Sequence, residues 1–143
     1  FQGYTTDTCP TLIGIGASSI SRFTEGYLQN ASATAAYLQR VEAGRLAGFR
    51  GHAMTDDDQL RARAIEMLMC DFRVDRNALR TQFGAAEAGL AQIHEGIAQR
   101  FAGYVTLTED ALTIAPKGKP LMRMMAQAYD AYADNGAIYS KAS

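Results

Sequence analysis

The sequence predicts an α+β chain, mainly helical with a small amount of β structure. Three observations carry that prediction. Apolar residues recur at helical spacing through the second half of the chain, at Ile65/Leu68/Met69/Phe72, Leu90/Ile93/Ile97/Phe101 and Leu121/Met125/Ala128/Tyr132. Two short β-prone runs, residues 104–107 and 111–114, flank Thr108-Glu109-Asp110 as a hairpin with a short loop. The first fifty residues are rich in Gly, Ser and Thr and hold a single apolar run, Leu12-Ile13-Gly14-Ile15-Gly16.

That run, bounded by Pro10 and by Ala17-Ser18-Ser19, is too short for a typical helix, and its glycines weaken one further. It predicts a strand apolar on both faces, as in a sheet covered from both sides. Residues 32–43 predict a helix with Ser32 as cap and Gly44 as stop. Thr55-Asp56-Asp57-Asp58 is close to a capping box, with Asp where Glu is usual, and its acids suit the positive end of a helix dipole. The helix carrying the Ile65 stripe follows. A short helix is expected after Asp75, reaching about Phe83 and ended by Gly84. The Leu90 stripe places a helix over 85–101, stopped by Gly103. After the hairpin a last helix begins near Pro116, whose missing N–H costs nothing in a first turn. Helix, short helix, helix, hairpin, helix is the order of a winged-helix-like module, expected at about 54–135. The composition changes near residue 50, which divides the chain into 1–50 and 51–143.

The 143 residues carry a net charge of -1. A nucleic-acid-binding surface needs several cations to neutralise phosphates. The helix that would enter a groove offers Gln92, His94, Gln99 and Arg100, with one permanent cation. No nucleic-acid partner is expected. No stretch approaches the roughly 20 apolar residues of a membrane span and no signal peptide is visible, so no membrane partner is expected either. Cys9 and Cys70 cannot build a disulfide framework, which makes a reducing, cytoplasmic compartment the simpler expectation. The chain opens on Phe1 rather than Met, as a piece of a longer polypeptide would.

Few residues carry chemistry by spacing alone. His52 and His94 have no second ligand at metal spacing, so surface or packed histidines are the simpler reading. Cys70 lies mid-helix and reads as a structural thiol, and Cys9 has no cationic neighbour to activate it. Asp56-Asp57-Asp58 is better explained by helix capping than by a metal, and Met122, Met124 and Met125 by core packing than by a soft ligand set. No catalytic residue and no metal ligand is assigned. Residues 14–21, Gly-Ile-Gly-Ala-Ser-Ser-Ile-Ser, are different. Glycines at a strand end let a ligand approach the backbone, and hydroxyls and free amides there can hold a polar group. A plain turn explains the segment as well.

The chain also resembles a known family. Phe1-Gln2-Gly3-Tyr4-Thr5-Thr6 and the 12–21 run look like the last barrel strands of oxygen-independent coproporphyrinogen III oxidase. The similarity continues through Tyr27-Leu28-Gln29-Asn30, Phe49-Arg50-Gly51 and residues 65–75, and weakly to 113–118. The resemblance implies a remnant of the last strands of a radical S-adenosylmethionine barrel over 1–50, followed by a winged-helix-like domain over 51–143 that covers the barrel mouth. It implies a parent oxidoreductase of haem and porphyrin biosynthesis that turns two propionates of coproporphyrinogen III into vinyls, giving protoporphyrinogen IX. The parent's cofactors would be a [4Fe–4S] cluster, which cleaves S-adenosylmethionine to a hydrogen-abstracting radical, and two S-adenosylmethionine molecules. Gln2 and Ile20 match positions that contact the second of these.

One departure is large. The family's three cysteines at Cys-x3-Cys-x2-Cys spacing are absent, and Cys9 and Cys70 cannot replace them. The piece by itself is therefore expected to bind no cofactor and to be inactive. Its expected partners are the missing catalytic barrel on its amino side and the coproporphyrinogen III substrate, with Arg22 and Arg50 as candidate contacts for substrate carboxylates. An orphaned apolar strand seeks partners, so residues 1–25 are expected to mediate self-association or to fold onto the chain's own helices. The alternatives are a piece of a related haem chaperone or haem-degrading radical enzyme, and a stand-alone winged-helix interaction or DNA-binding module.

Overall fold

The computed structural model describes residues 9–132, and these form mixed helix and sheet. They fold as two compact units, divided between Thr55 and Asp56.

In the first unit β1 (Ile20–Phe23), β2 (Gly26–Asn30) and β3 (Gly48–Ala53) form an antiparallel sheet in the order β1-β2-β3. Thr24 and Glu25 turn the chain between β1 and β2. Gly26 follows at φ 153°, and a Cβ there would collide with the His52 carbonyl. The residue is glycine because the neighbouring strand runs against its backbone. Between β2 and β3 lies α1 (Thr34–Glu42). Its N-cap is Ala33, with no side-chain capping bond, so the expected Ser32 cap is corrected. Gly44 does end it, at φ 68°, with its N–H donating to the Val41 carbonyl.

The strand expected at 12–16 is also corrected. Only Leu12 pairs, in one bridge with Arg22 whose two backbone bonds are 2.9 and 2.8 Å. Ile13 and Ile15 are 62% and 86% exposed, so the run lacks the two covered faces its composition called for. The first ladder begins at Ile20 instead. β2 and β3 lie where no strand was expected. Glycines at 48 and 51 dilute the alternation that marks a strand, yet Gly48 sits where the Leu28 side chain needs room and Gly51 lies against the Tyr27 carbonyl.

The second unit contains the hydrophobic core. α2 (Asp56–Asp71) opens on its three acids. It buries Leu60, Ala64, Met67 and Leu68, while Ile65, Met69 and Phe72 pack at the margin. The stripe is thus turned part of a revolution from the one expected. Phe72 lies past the helix end at φ 55°, and its carbonyl accepts from Ile114 N–H at 2.8 Å. β4 (Arg73–Asp75), unexpected from three residues of sequence, then pairs with β6. α3 (Arg76–Phe83) starts with Asp75 accepting from the Ala78 N–H at 2.9 Å and stops at Gly84, as the sequence indicated. A 3-10 segment (Gly84–Leu90) leads into α4 (Ala91–Arg100). The hairpin follows as β5 (Val105–Leu107) and β6 (Ala111–Ile114), in a sheet ordered β4-β6-β5.

The last predicted helix is broken. A 3-10 segment (Pro116–Leu121) containing Pro120 precedes the short α5 (Met122–Ala126), and another 3-10 turn (Gln127–Tyr129) follows. Pro120 removes a helical donor and shifts the apolar face. Met125, Ala126 and Tyr129 are buried, whereas Ala128 and Tyr132 are exposed.

Candidate functional site

The loop flagged at residues 14–21 is held by the first unit's own polar groups. The Gly14 N–H donates to Ser21 Oγ at 3.1 Å, and the Gly16 N–H to the Tyr37 hydroxyl at 3.2 Å. Asn30 Nδ2 donates to the carbonyls of Gly14 and Gly16 at 3.1 and 3.0 Å. A Cβ on Gly14 would stand 2.8 Å from the Ile20 backbone. The close approach that glycine permits is therefore to the chain itself. The two glycine amides expected to be free for a ligand are already used.

Ser18, at φ 64°, faces Gln29. Gln29 Nε2 donates to the carbonyl and the hydroxyl of Ser18, both at 3.2 Å. Gln29 Oε1 in turn accepts from Arg50 Nε at 3.0 Å. A chain of three contacts thus runs from the loop, through β2, to a guanidinium on β3.

Register defines what lies beside it. Ile20 pairs with Gln29, which pairs with Arg50, and Arg22 pairs with Tyr27, which pairs with His52. Residues directly opposite across an antiparallel ladder share a face, as do residues two apart along a strand. One face therefore carries two rows: Ile20, Gln29, Arg50 and Arg22, Tyr27, His52. None of these six residues is itself a carboxylate. The opposite face carries Ser21, Leu28 and Gly51. Ile20, Arg22 and Arg50, singled out separately from the sequence, share one surface; Gln29, Tyr27 and His52 were missed as site residues. A signal existed for Tyr27 and Gln29, which alternate about Leu28, whereas Gly48 and Gly51 obscure it for His52. Gln2 lies outside the described residues.

The other candidates are structural. His94 is 1% exposed, so it cannot face a DNA groove. Asp57 pairs with Arg61 Nε at 2.6 Å, and Asp58 accepts from the Tyr132 hydroxyl at 3.0 Å, which holds that phenol's pKa above its usual range. Met125 is core, Met122 lies at its edge and Met124 is exposed. Burial, with Glu66 and Asp71 beside it, raises the Cys70 thiol pKa, the opposite of activation. Among the described residues no group of three or more His, Cys, Asp or Glu could hold a metal, and no helix is long and apolar enough to cross a membrane.

Comparison with known proteins gives a consistent picture. No family model matches the chain. An oxygen-independent coproporphyrinogen III oxidase of Cereibacter sphaeroides is 57% identical over 145 residues, covering all of this chain and 32% of the relative. One of Paracoccus denitrificans is 45% identical over 132 residues, covering 92% of this chain and 29% of the relative. The solved structure of coproporphyrinogen III oxidase from Escherichia coli, described as a radical SAM enzyme, superposes with a TM-score of 0.82 at 32% identity, over 92% of this chain and 31% of that one. Fold and sequence together make the chain similar to a segment of coproporphyrinogen III oxidases. In particular, the chain is a relative of the oxygen-independent coproporphyrinogen III oxidases, matching their carboxy-terminal region. It spans about a third of the length of the relatives it matches.

Proposed function

We propose that this chain is the carboxy-terminal part of an oxygen-independent coproporphyrinogen III oxidase. That enzyme oxidatively decarboxylates two propionates of coproporphyrinogen III to vinyls, giving protoporphyrinogen IX. One observation of the chain itself carries the reading. Leu12, Ile13, Ile15, Leu38, Val41, Leu46 and Phe49 lie exposed in the first unit, where among the described residues only Ala31 and Ala47 are buried apolar residues. So much uncovered apolar surface on so small a unit calls for cover by further protein. The last staves of a larger barrel would have such cover. Ile20, half-buried at the head of β1, and Gln2 are the contacts for the second S-adenosylmethionine in this reading.

The iron–sulfur cluster does not fit this chain's own residues. Cys9 and Cys70 are the only cysteines, and Cys70 is a mid-helix thiol with a raised pKa. The cluster and the radical chemistry it supplies with S-adenosylmethionine belong to the rest of the enzyme, and the chain alone turns nothing over. The second unit, from Asp56 onward, is a winged-helix-like module in this reading. The order α2, β4, α3, α4, β5, β6 and the sheet order β4-β6-β5 support that reading. α4 exposes Gln92, Glu95, Gln99 and Arg100, a surface with as many acids as cations, which speaks against DNA as its ligand.

The test is anaerobic reconstitution of the full-length enzyme carrying this chain. Conversion of coproporphyrinogen III to protoporphyrinogen IX, with S-adenosylmethionine consumed, is the expected result. A cluster-loaded enzyme that binds haem and leaves coproporphyrinogen III unchanged would overturn the reading in favour of a haem chaperone or haem-degrading enzyme.

A further inference from the structure

The loop between the Leu12 bridge and β1 turns back on itself, and one residue holds it at three points. Asn30, the last residue of β2, donates from its side-chain nitrogen to two carbonyls, Gly14 at 3.1 Å and Gly16 at 3.0 Å, and from its backbone N–H to the Ser19 carbonyl at 2.9 Å. A side-chain amide has two N–H donors, and both are spent. With a carbonyl at each contact, only the nitrogen end of the amide can face them. The match explains why Asn stands here, since Asp has no donor when ionised and Ser has one. Neighbouring bonds pull the same way. The Gly16 N–H donates to the Tyr37 hydroxyl on α1, the Gly14 N–H to the buried Ser21 hydroxyl, and the Ser18 N–H to the Ala31 carbonyl at 2.9 Å. What the clasp holds is the approach to Ile20. A Cβ on Gly14 would lie within 2.9 Å of the Ile20 nitrogen, carbonyl carbon and oxygen, so the clasped loop rests directly on the Ile20 backbone. Ser18 takes φ 64°, a costly conformation for a residue with a side chain, which persists only where surrounding contacts over-determine it. With so few buried apolar residues in this unit, those contacts are the hydrogen bonds.

Resting on the proposed function, in which Ile20 touches the second S-adenosylmethionine, we propose that Asn30 is a positioning residue for that contact. It acts through the loop rather than on the ligand. Its side chain and backbone fix residues 14–19 against the head of β1, and the loop in turn fixes where Ile20 is presented. The Gly14 and Gly16 amides are spent inside the chain, so what this strand head offers a nucleoside is the apolar contact of Ile20. Such contact depends steeply on placement, because a gap of about 0.5–1 Å forfeits a quarter to a half of it. Tyr37 supports the same loop through one bond where Asn30 supplies three.

The full-length enzyme, anaerobically reconstituted, is titrated with S-adenosylmethionine by equilibrium dialysis, and amide exchange is followed over residues 14–20. Wild type is expected to bind two equivalents. Asn30→Ala should weaken the second about tenfold and leave the first unchanged. Asn30→Asp, which sets a carboxylate against the two carbonyls, should weaken it at least as far. Asn30→Gln keeps both donors on one nitrogen and should recover part of the loss. Tyr37→Phe removes a single bond and should weaken the second equivalent about threefold. In each weakened variant the amides of Gly14, Gly16 and Ser18 should exchange faster, and in turnover the KM for S-adenosylmethionine should rise with kcat nearly kept. Asp75→Ala, which loses a capping bond of α3 in the second unit, is the control and should bind both equivalents as wild type. If the Asn30 variants do not fold, Tyr37→Phe carries the test. If Asn30→Ala and Tyr37→Phe both keep the wild-type affinity for the second equivalent, this inference falls, and conversion of coproporphyrinogen III by the wild type leaves the proposed function standing. If the wild type binds a single equivalent, the Ile20 contact and this inference fall together, while conversion by the wild type still decides the oxidase reading.

Discussion

Burial makes His94 a basic group that resists protonation. Both ring nitrogens are buried without a hydrogen-bond partner, as is the hydroxyl of Tyr129, whose ring meets the imidazole edge-on at 5.7 Å. Burial first, then the positive charges of Arg76 and Arg80 working against Glu87, brings the His94 pKa down to about 4 from 6.5. The unfolded chain takes up this proton near pH 6.5 and the folded chain only near 4. Stability is therefore full above pH 6.5 and falls as pH drops toward 4, by about 2 kcal/mol at pH 5. Urea midpoints at pH 7.5 and 5 should show the loss, and His94→Phe should flatten it. Beside it, Glu87 accepts from Arg76 Nε at 2.7 Å and Arg80 Nε at 3.2 Å. Burial pushes this carboxyl up, but hydrogen bonds and charge from Arg76 and then Arg80 outweigh it and the net shift is down. Its contribution is present above the usual carboxylate range and is lost below it. Glu87→Ala strands a half-buried Arg76 and should cost about 3 kcal/mol, read by urea unfolding at pH 7.5. Neither group was legible as a site: Arg76, Glu87, His94 and Tyr129 span 54 residues of sequence, and no local pattern announces such a cluster.

Elements with a local cause were legible, and those with a distant cause were not. Asp75 caps α3 through the Ala78 N–H, a bond that also lowers its pKa. The cap and the Gly84 stop can be read from adjacent residues. Asp75→Ala should cost about 1 kcal/mol, measured by chemical denaturation. The hairpin of β5 and β6 was legible for the same reason. β4 was not, because three residues become a strand only by pairing with β6, nearly forty residues away. β2 and β3 depend likewise on each other. Gly26→Ala would drive a methyl into the His52 carbonyl, and it should loosen this sheet, visible as faster amide exchange at Leu28 and Arg50 with α2 unaffected.

At the scale of the whole chain the two units differ in what holds them together. The second has a contiguous core from Leu60 to Tyr129, while the first has a hydrogen-bonded sheet over little buried apolar surface. Hydrogen exchange should find the most protected amides in α2, α3 and β6, and much weaker protection in β1–β3. The exposed Ile13, Ile15 and Leu46 should make the isolated chain self-associate with rising concentration in sedimentation experiments. Ile15→Lys should reduce that association, and a monomer at every concentration would contradict it.

Taken alone, the sequence determined the α+β class, the positions of α3 and of the β5–β6 hairpin, the near-neutral charge balance, and the kinship carried by its amino-terminal and Cys70 segments. These are properties of local spacing, composition and residue identity. Tertiary structure decided that the glycine loop spends its amides on Ser21 and Tyr37, that the apolar run near the amino end stands exposed, and that Arg22 and Arg50 share a face with Ile20. Those outcomes are set by strand register, and register is fixed by contacts between residues far apart along the chain.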